Sequence, residues 1–213
     1  METGRKIYGT KIPYGWIIYL ICMLAINALI FMPPLLVANE QENLASSAYF
    51  AWSFTCHQLD TRSLCYYEAG FLVRDCDGAN TGQKTEIIFS KSCLNDGVGA
   101  GSAKCTASDI GYKFPVCARD FGIYLSMLIG GIIYPLVKKA NEQNWPHPIW
   151  LVLAMVPIAI DGSGQFLGFW ESTNTMRLLT GGIIGIVMSF YIIPMLNQLI
   201  NPVIESIFGR MKK

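Results

Sequence analysis

Four long apolar runs limit what this chain can fold into. They cover residues 14–37, 121–137, 148–170 and 178–200, and each approaches the roughly 20 residues that a helix needs to cross a bilayer. Only 15% of the 213 residues are charged and the mean hydropathy is +0.37, which is unusual for a soluble domain. We therefore predict an all-α integral membrane protein, built as a bundle of four spanning helices.

A shorter apolar segment, residues 44–54, lies between the first two spans. It is too short to cross the membrane and is rich in small and aromatic residues. We predict an interfacial or re-entrant helix here. The alternative is a short fifth span, which would reverse the orientation of everything after it.

The distribution of basic residues predicts how the bundle is oriented. Because cytoplasmic segments carry an excess of Lys and Arg, we place both termini in the cytoplasm of a plasma-membrane protein, and residues 39–119 on the extracytoplasmic side. A net charge of +1 provides no basic field for nucleic acid. The expected partners are therefore the lipid bilayer and other membrane subunits. The basic residues that flank the inner ends of the spans are Arg5, Lys6, Lys11, Lys138, Lys139, Arg210, Lys212 and Lys213.

This topology divides the chain into three parts. Residues 1–59 hold the first span and the interfacial helix, 60–114 form a Cys-rich extracytoplasmic loop domain, and 115–213 hold three further spans and a cytoplasmic tail. The loop domain is too small to build a core unaided. We expect short strands at 70–73 and 85–90, and a separate amphipathic helix at 201–213.

Six of the seven cysteines fall on the predicted extracytoplasmic side, whereas Cys22 lies within the first span. An even number of cysteines in an oxidising compartment indicates disulfides that staple the loop domain. Spacing does not choose among the pairings. We favour a bond between Cys56 and Cys117, which both lie at membrane borders, with the other four paired among themselves. The six are Cys56, Cys65, Cys76, Cys93, Cys105 and Cys117.

A metal site is the alternative use of these cysteines. Cys56, His57 and Cys117 with a nearby carboxylate would suit zinc or copper. The chain lacks Cys-x-x-Cys and His-x-x-x-His spacings, and adjacent ligands at 56 and 57 are awkward for one tetrahedral ion. We therefore expect neither a metal nor another cofactor.

Polar residues recur near the outer borders of the spans. Asp161 and Gln165 are four residues apart, on one helical face. An Asp within a span is costly unless it faces the bundle interior and has a partner; Arg119 and Arg177 are the expected partners. The cluster either locks the helix ends together or binds an anionic headgroup, with a carboxylate as acid or base. The candidate residues are His57, Arg62, Arg119, Asp120, Asp161, Gln165, Glu171, Asn174 and Arg177.

Small residues at four-residue spacing predict close helix packing in three of the spans. They are Gly122, Ser126 and Gly130 in the second span, Gly164 and Gly168 in the third, and Gly181 and Gly185 in the fourth.

Five separated motifs, in this order, resemble those of an uncharacterised family of small multi-pass prokaryotic membrane proteins. That family is a domain of unknown function common in archaea, so the resemblance implies a membrane fold and no known activity. Family members usually join the second and third motifs by a short link, where this chain has residues 64–114. The motifs are Cys56-His57-Gln58; Arg62-Ser63; Pro-Val-Cys-Ala-Arg at 115–119 with Gly-Ile-Tyr at 122–124; Asp161-Gly162 with Gln165; and Glu-Ser-Thr-Asn at 171–174 with Arg177 and Thr180-Gly181.

The chain contains no Gly-x-Ser-x-Gly, P-loop or dinucleotide-binding signature. We therefore predict a non-catalytic accessory or structural subunit of a larger membrane complex, for example an oxidoreductase or monooxygenase type of assembly, rather than an enzyme on its own. The alternative is a membrane enzyme or metal-binding protein with a Cys/His/Asp/Glu/Arg site at the outer border.

Mass spectrometry of the non-reduced protein, intact and digested, checks the cysteine prediction. We expect a crosslinked peptide that joins Cys56 to Cys117, and no metal by elemental analysis of the same sample. Reduced cysteines at both positions, together with one equivalent of zinc or copper, would contradict the prediction and favour the metal site.

Overall fold

Five helices and four strands make up the part of the chain that the computed structural model describes, which is residues 12–39, 41–54, 62–67, 72–76, 91–93 and 110–211. Among these residues, α1, α3, α4 and the first 31 residues of α5 are long and apolar enough to cross a membrane. The predicted four-span helical bundle is therefore confirmed. The elements are α1 Tyr14–Ala38, α2 Glu42–Ser53, β1 Ser63–Tyr67, β2 Leu72–Asp75, β3 Lys91–Cys93, β4 Ile110–Cys117, α3 Ala118–Val137, α4 Ile149–Phe166 and α5 Asn174–Met211.

The short helix α2 has 12 residues, a length of about 18 Å at 1.5 Å per residue. This is too short to cross the hydrocarbon core. One face of α2 is buried through Ala45 and Tyr49, which pack against Val37 and Tyr112. The other face is exposed, with Leu44, Phe50 and Phe54 uncovered. The helix fits the interfacial segment predicted at 44–54 rather than a fifth span.

Two predicted helix boundaries are wrong. The third span ends at Phe166 instead of 170, because the chain turns at Gly168, whose φ is +77°. The tail at 201–213 is not a separate helix, because α5 continues without a break to Met211. The buried side chain of Asn201 accepts a hydrogen bond from the Gly15 N–H at 3.2 Å, which holds this part of α5 against α1.

A four-stranded antiparallel sheet, ordered β2-β1-β4-β3, lies at one end of the bundle. The strand predicted at 70–73 overlaps β2, and the one at 85–90 lies outside the described residues. The longest strand, β4, was not predicted, and it runs across the predicted boundary between residues 114 and 115. Its alternate residues Tyr112, Phe114 and Val116 share one face and are buried, and Pro115 on the other face is buried as well.

The sheet is joined to the helices by a shared core. Phe114 and Val116 of β4 are 0% and 1% exposed, and they cluster with Ile30 of α1 and Phe121 of α3. The core therefore fixes the sheet against the helix ends.

One disulfide among the described residues agrees with the prediction that the four loop cysteines pair among themselves. A disulfide joins Cys65 in β1 to Cys76, the residue after β2. Cys93 lies in β3, whereas Cys56 and Cys105 lie outside the described residues. The pairing of Cys56 with Cys117 therefore stays a prediction.

Helices α3 and α5 approach each other closely through glycines. A Cβ at Gly122 of α3 would meet the carbonyl oxygen of Leu178, and a Cβ at Gly181 of α5 would meet that of Arg119. Gly185 is equally close to α3. The close packing predicted from small-residue spacing is thus present between α3 and α5. It is wrong for Gly168, which lies beyond the end of α4 and has none of the described residues within 4 Å of its Cβ position.

Adjacent glycines in α5 allow a matched test of this contact. Gly181→Ala places a methyl group against the Arg119 carbonyl, so we expect the free energy of unfolding to fall by about 2 kcal/mol. In Gly182→Ala the new Cβ has no atom of the described residues within 4 Å, and the better helix propensity of Ala makes the change neutral or slightly stabilising. Unfolding by denaturing detergent in mixed micelles measures both variants. Equal effects would contradict the close approach.

Candidate functional site

Polar side chains from four elements meet at the end of the bundle nearest the sheet, which we call the sheet end. The pairing of β1 with β4 places Ser63 opposite Cys117, so the residue before β1 lies close to the start of α3. Helix α4 ends and α5 begins at the same level. The converging residues are Arg62 before β1, Arg119 in the first turn of α3, Asp161 and Gln165 near the end of α4, and Asn174 and Arg177 in the first turn of α5.

The central contact is an ion pair between Arg119 and Asp161. Nη2 of Arg119 donates to Oδ2 of Asp161. Asp161 is 6% exposed, and 23% of the Arg119 side chain is exposed. A carboxylate this deep in an apolar helix is stable as an anion only with such a partner. The structure thus supplies the partner that the sequence led us to expect.

A second group of contacts ties α5 to the sheet. Arg177 is buried and donates from Nη1 to Oδ1 of Asn174 at 2.9 Å. The Asn174 amide in turn donates to the backbone carbonyl of Ser63 at 3.3 Å. The motif residues Ser63, Asn174 and Arg177 therefore form one chain of contacts from β1 to α5.

Gln165 links two of the arginines. With its amide oriented so that the oxygen faces the guanidinium groups, that oxygen accepts from Nη2 of Arg177 at 2.6 Å and from Nη2 of Arg62 at 3.3 Å. Two cationic groups thus share one neutral acceptor. This is a weaker partner than a carboxylate or phosphate oxygen.

Among the described residues, this cluster holds three arginines, and the carboxylate that pairs with one of them is Asp161. Positive charge is therefore in excess in this part of the structure. In addition, the buried Nε of Arg119 makes no hydrogen bond within the described part of the chain. An excess of guanidinium groups, partly buried beside one carboxylate, is suited to holding an anion.

Two other candidate residues lie at the edge of this cluster. Asp120, in the first turn of α3, accepts a hydrogen bond from the Cys117 sulfur at 3.1 Å. Glu171 is exposed in the connection between α4 and α5 and forms no ion pair with the described residues. The structure therefore places Asp120 against Cys117 at the start of α3, and among the described residues Glu171 has no ion pair in the network.

The metal alternative falls mainly outside the described residues. Cys56 and His57 are two of the three Cys and His ligands proposed for it, and neither is described. Among the described residues, no group of three or more His, Cys, Asp or Glu side chains could hold a metal ion. A zinc or copper site at Cys56, His57 and Cys117 stays a prediction.

The sequence could not identify one contributor, the backbone carbonyl of Ser63. Its role depends on the register of β1 against β4 and not on its side chain. The only signal was its position next to Arg62 in a motif.

The ion pair generates a prediction for stability. Asp161→Asn leaves Arg119 partly buried without a counter-charge, so we expect the free energy of unfolding to fall by about 3 kcal/mol. The double variant Arg119→Gln/Asp161→Asn removes both charges and should recover most of the loss. Detergent unfolding of the three proteins measures the difference. A double variant at least as unstable as Asp161→Asn would show that the two residues do not act as a pair.

Comparison with known proteins gives matches to the region that holds most of this site. Residues 107–191, from before β4 to the middle of α5, match a family described as "Predicted membrane protein (DUF2085)". This region contains every converging residue except Arg62. No solved structure matches the chain.

Two archaeal relatives are themselves uncharacterised. A protein of Methanocaldococcus jannaschii is 44% identical over 90 residues, which are 42% of this chain and 58% of that protein. A protein of Methanothermobacter thermautotrophicus is 37% identical over 78 residues, which are 36% of this chain and 67% of that protein. The match thus spans less than two thirds of the Methanocaldococcus protein.

Proposed function

Because the chain belongs to this uncharacterised family of predicted membrane proteins, we propose its role from its own surfaces: it is a non-catalytic accessory subunit of a larger membrane assembly. Membership of the family brings no activity with it. The support comes from the surface of α4.

Helix α4 is the least covered of the four candidate spans. Only 17% of the residues in its most apolar stretch are buried, against 33–39% for the other three helices. Its buried residues are Ala154, Asp161 and Gly164, and its main neighbour is α5. Most of the α4 surface therefore faces the membrane or a partner helix.

The small residues on the uncovered side of α4 favour a partner helix. Ala159 and Ser163 are exposed and four residues apart. Gly162 lies beside them, and none of the described residues comes within 4 Å of its Cβ position. Small residues at this spacing are typical of helix–helix contacts in membranes. Elsewhere in this bundle, Gly122 and Gly181 each meet a neighbouring backbone. An open glycine on α4 is where the helix of another subunit would pack closely.

The second candidate is an enzyme or metal-binding protein with its site at the sheet end. The observations that favour it are the buried carboxylate of Asp161 and the contact between Cys117 and Asp120. It ranks second because two of its ligands, Cys56 and His57, lie outside the described residues.

The subunit role predicts that a bulky residue at Gly162 disrupts the assembly. We expect the native protein, solubilised in mild detergent, to migrate within a complex larger than its own micelle. Gly162→Trp should release it as a monomer, because the indole occupies the space of the partner helix. Ile160→Trp is the matched control: it lies about 200° round the same helix and is already exposed at 57%. This variant should leave the complex intact.

Native gel electrophoresis and native mass spectrometry read out both variants, and detergent unfolding confirms that each folds. A wild-type protein that is monomeric in mild detergent and in nanodiscs prepared directly from its membrane would contradict the subunit role. Dissociation by both Trp variants would contradict the assignment of the contact to the Gly162 face.

A further inference from the structure

We propose that Arg62, Arg119 and Arg177 form a binding site for a phosphate-bearing anion at the sheet end of the bundle. The anion is either the phosphate of a lipid headgroup or a free phosphate. This inference does not depend on the subunit role, because it rests on a different part of the molecule.

The first argument is convergence. Arg62 and Arg177 both come within hydrogen-bond distance of the Gln165 oxygen, and Arg119 contacts Asp161, one turn earlier on the same face of α4. Three guanidinium groups from three different elements therefore surround a single turn of one helix. Chain connectivity does not impose this arrangement, since the arginines are separated by at least 57 residues.

The second argument is charge. Asp161 is the carboxylate within the described residues that pairs with these arginines. Even if Asp120 is counted with it, the three arginines outnumber the acids of this cluster among the described residues. The buried Nε of Arg119 is a donor without an acceptor among the described residues. An unpaired buried donor is costly, and a bound anion would supply its acceptor.

The third argument is the shape of the donors. Each guanidinium presents a planar fork that fits two oxygens of a carboxylate or a phosphate. A carboxylate has two oxygens and is satisfied by one or two such forks. Three forks offer more donors than a carboxylate can use and suit the larger number of oxygens on a phosphate better, and arginine clusters recognise phosphate groups in this way.

The fourth argument is access. Arg62 is exposed and 23% of the Arg119 side chain is exposed, whereas Arg177 is buried. The ligand would therefore enter past Arg62 and Arg119, and Arg177 would be the most deeply buried of the three binding residues. The first turns of α3 and α5 and the last turns of α4 lie at the border of their spans, where lipid phosphates are found.

The test uses the purified full chain with two probes. Inorganic phosphate is titrated calorimetrically into delipidated protein in neutral detergent, and native mass spectrometry counts phosphatidylglycerol retained from nanodiscs that contain it. We expect saturable binding of at least one probe. Arg62→Gln should weaken that binding about tenfold, the scale of one lost charge-assisted hydrogen bond. Lys139→Gln is the control, because it removes one exposed positive charge at the opposite end of α3.

Each outcome decides the proposal. Phosphate binding that Arg62→Gln weakens and Lys139→Gln does not supports a free phosphate as ligand. Retention of phosphatidylglycerol with the same dependence, and no phosphate binding, supports a lipid headgroup. No binding of either probe, or equal weakening by both variants, would overturn the proposal.

Arg62 is exposed, so its loss should leave folding intact. Arg177→Lys is a second variant, which keeps the charge but loses the fork and should also weaken binding.

Discussion

The backbone contact between α3 and α5 is the constraint on which the rest of the structure depends. Gly122, Gly181 and Gly185 leave no side chain between the two helices at these points, so the start of α3 and the start of α5 have one fixed separation. Arg119 and Arg177 are carried by those first turns. Their proximity, which is unfavourable for two like charges, is therefore imposed by the helix packing and must be compensated by other groups.

Helix α4 provides that compensation, and the same contacts hold α4 in place. Few of its apolar side chains are covered, so apolar packing contributes less to its position than it does for the other spans. Asp161 pairs with Arg119, and Gln165 accepts from two arginines. Both contacts are at the sheet end. The position of α4 in this structure thus depends on the arginine cluster, and the charge of the cluster depends on α4.

The features that could be predicted from the sequence are those that depend on local pattern. The four spans follow from the length of the apolar runs, and the pairing of Asp161 with an arginine follows from the cost of an isolated carboxylate in a span. Strand β4 was missed because Lys113 and Pro115 interrupt its apolar residues, and only the core formed with Ile30 and Phe121 reveals their alternation. The position of Arg62 depends on the register of β1 against β4, which is a long-range property.

The two proposed surfaces lie on consecutive residues of one helix. Asp161 pairs with Arg119, whereas Gly162, about 100° further round α4, has no close neighbour within the described part of the chain. An anion that binds Arg119 competes with Asp161 for the same guanidinium group, so it loosens the contact that positions this turn. A partner helix packed on Gly162 has the opposite effect, because it restrains the same turn. If both surfaces are used, anion and partner each change the affinity for the other by the same factor. With this geometry the coupling is negative, which means that binding of the anion weakens binding of the partner helix, and the reverse.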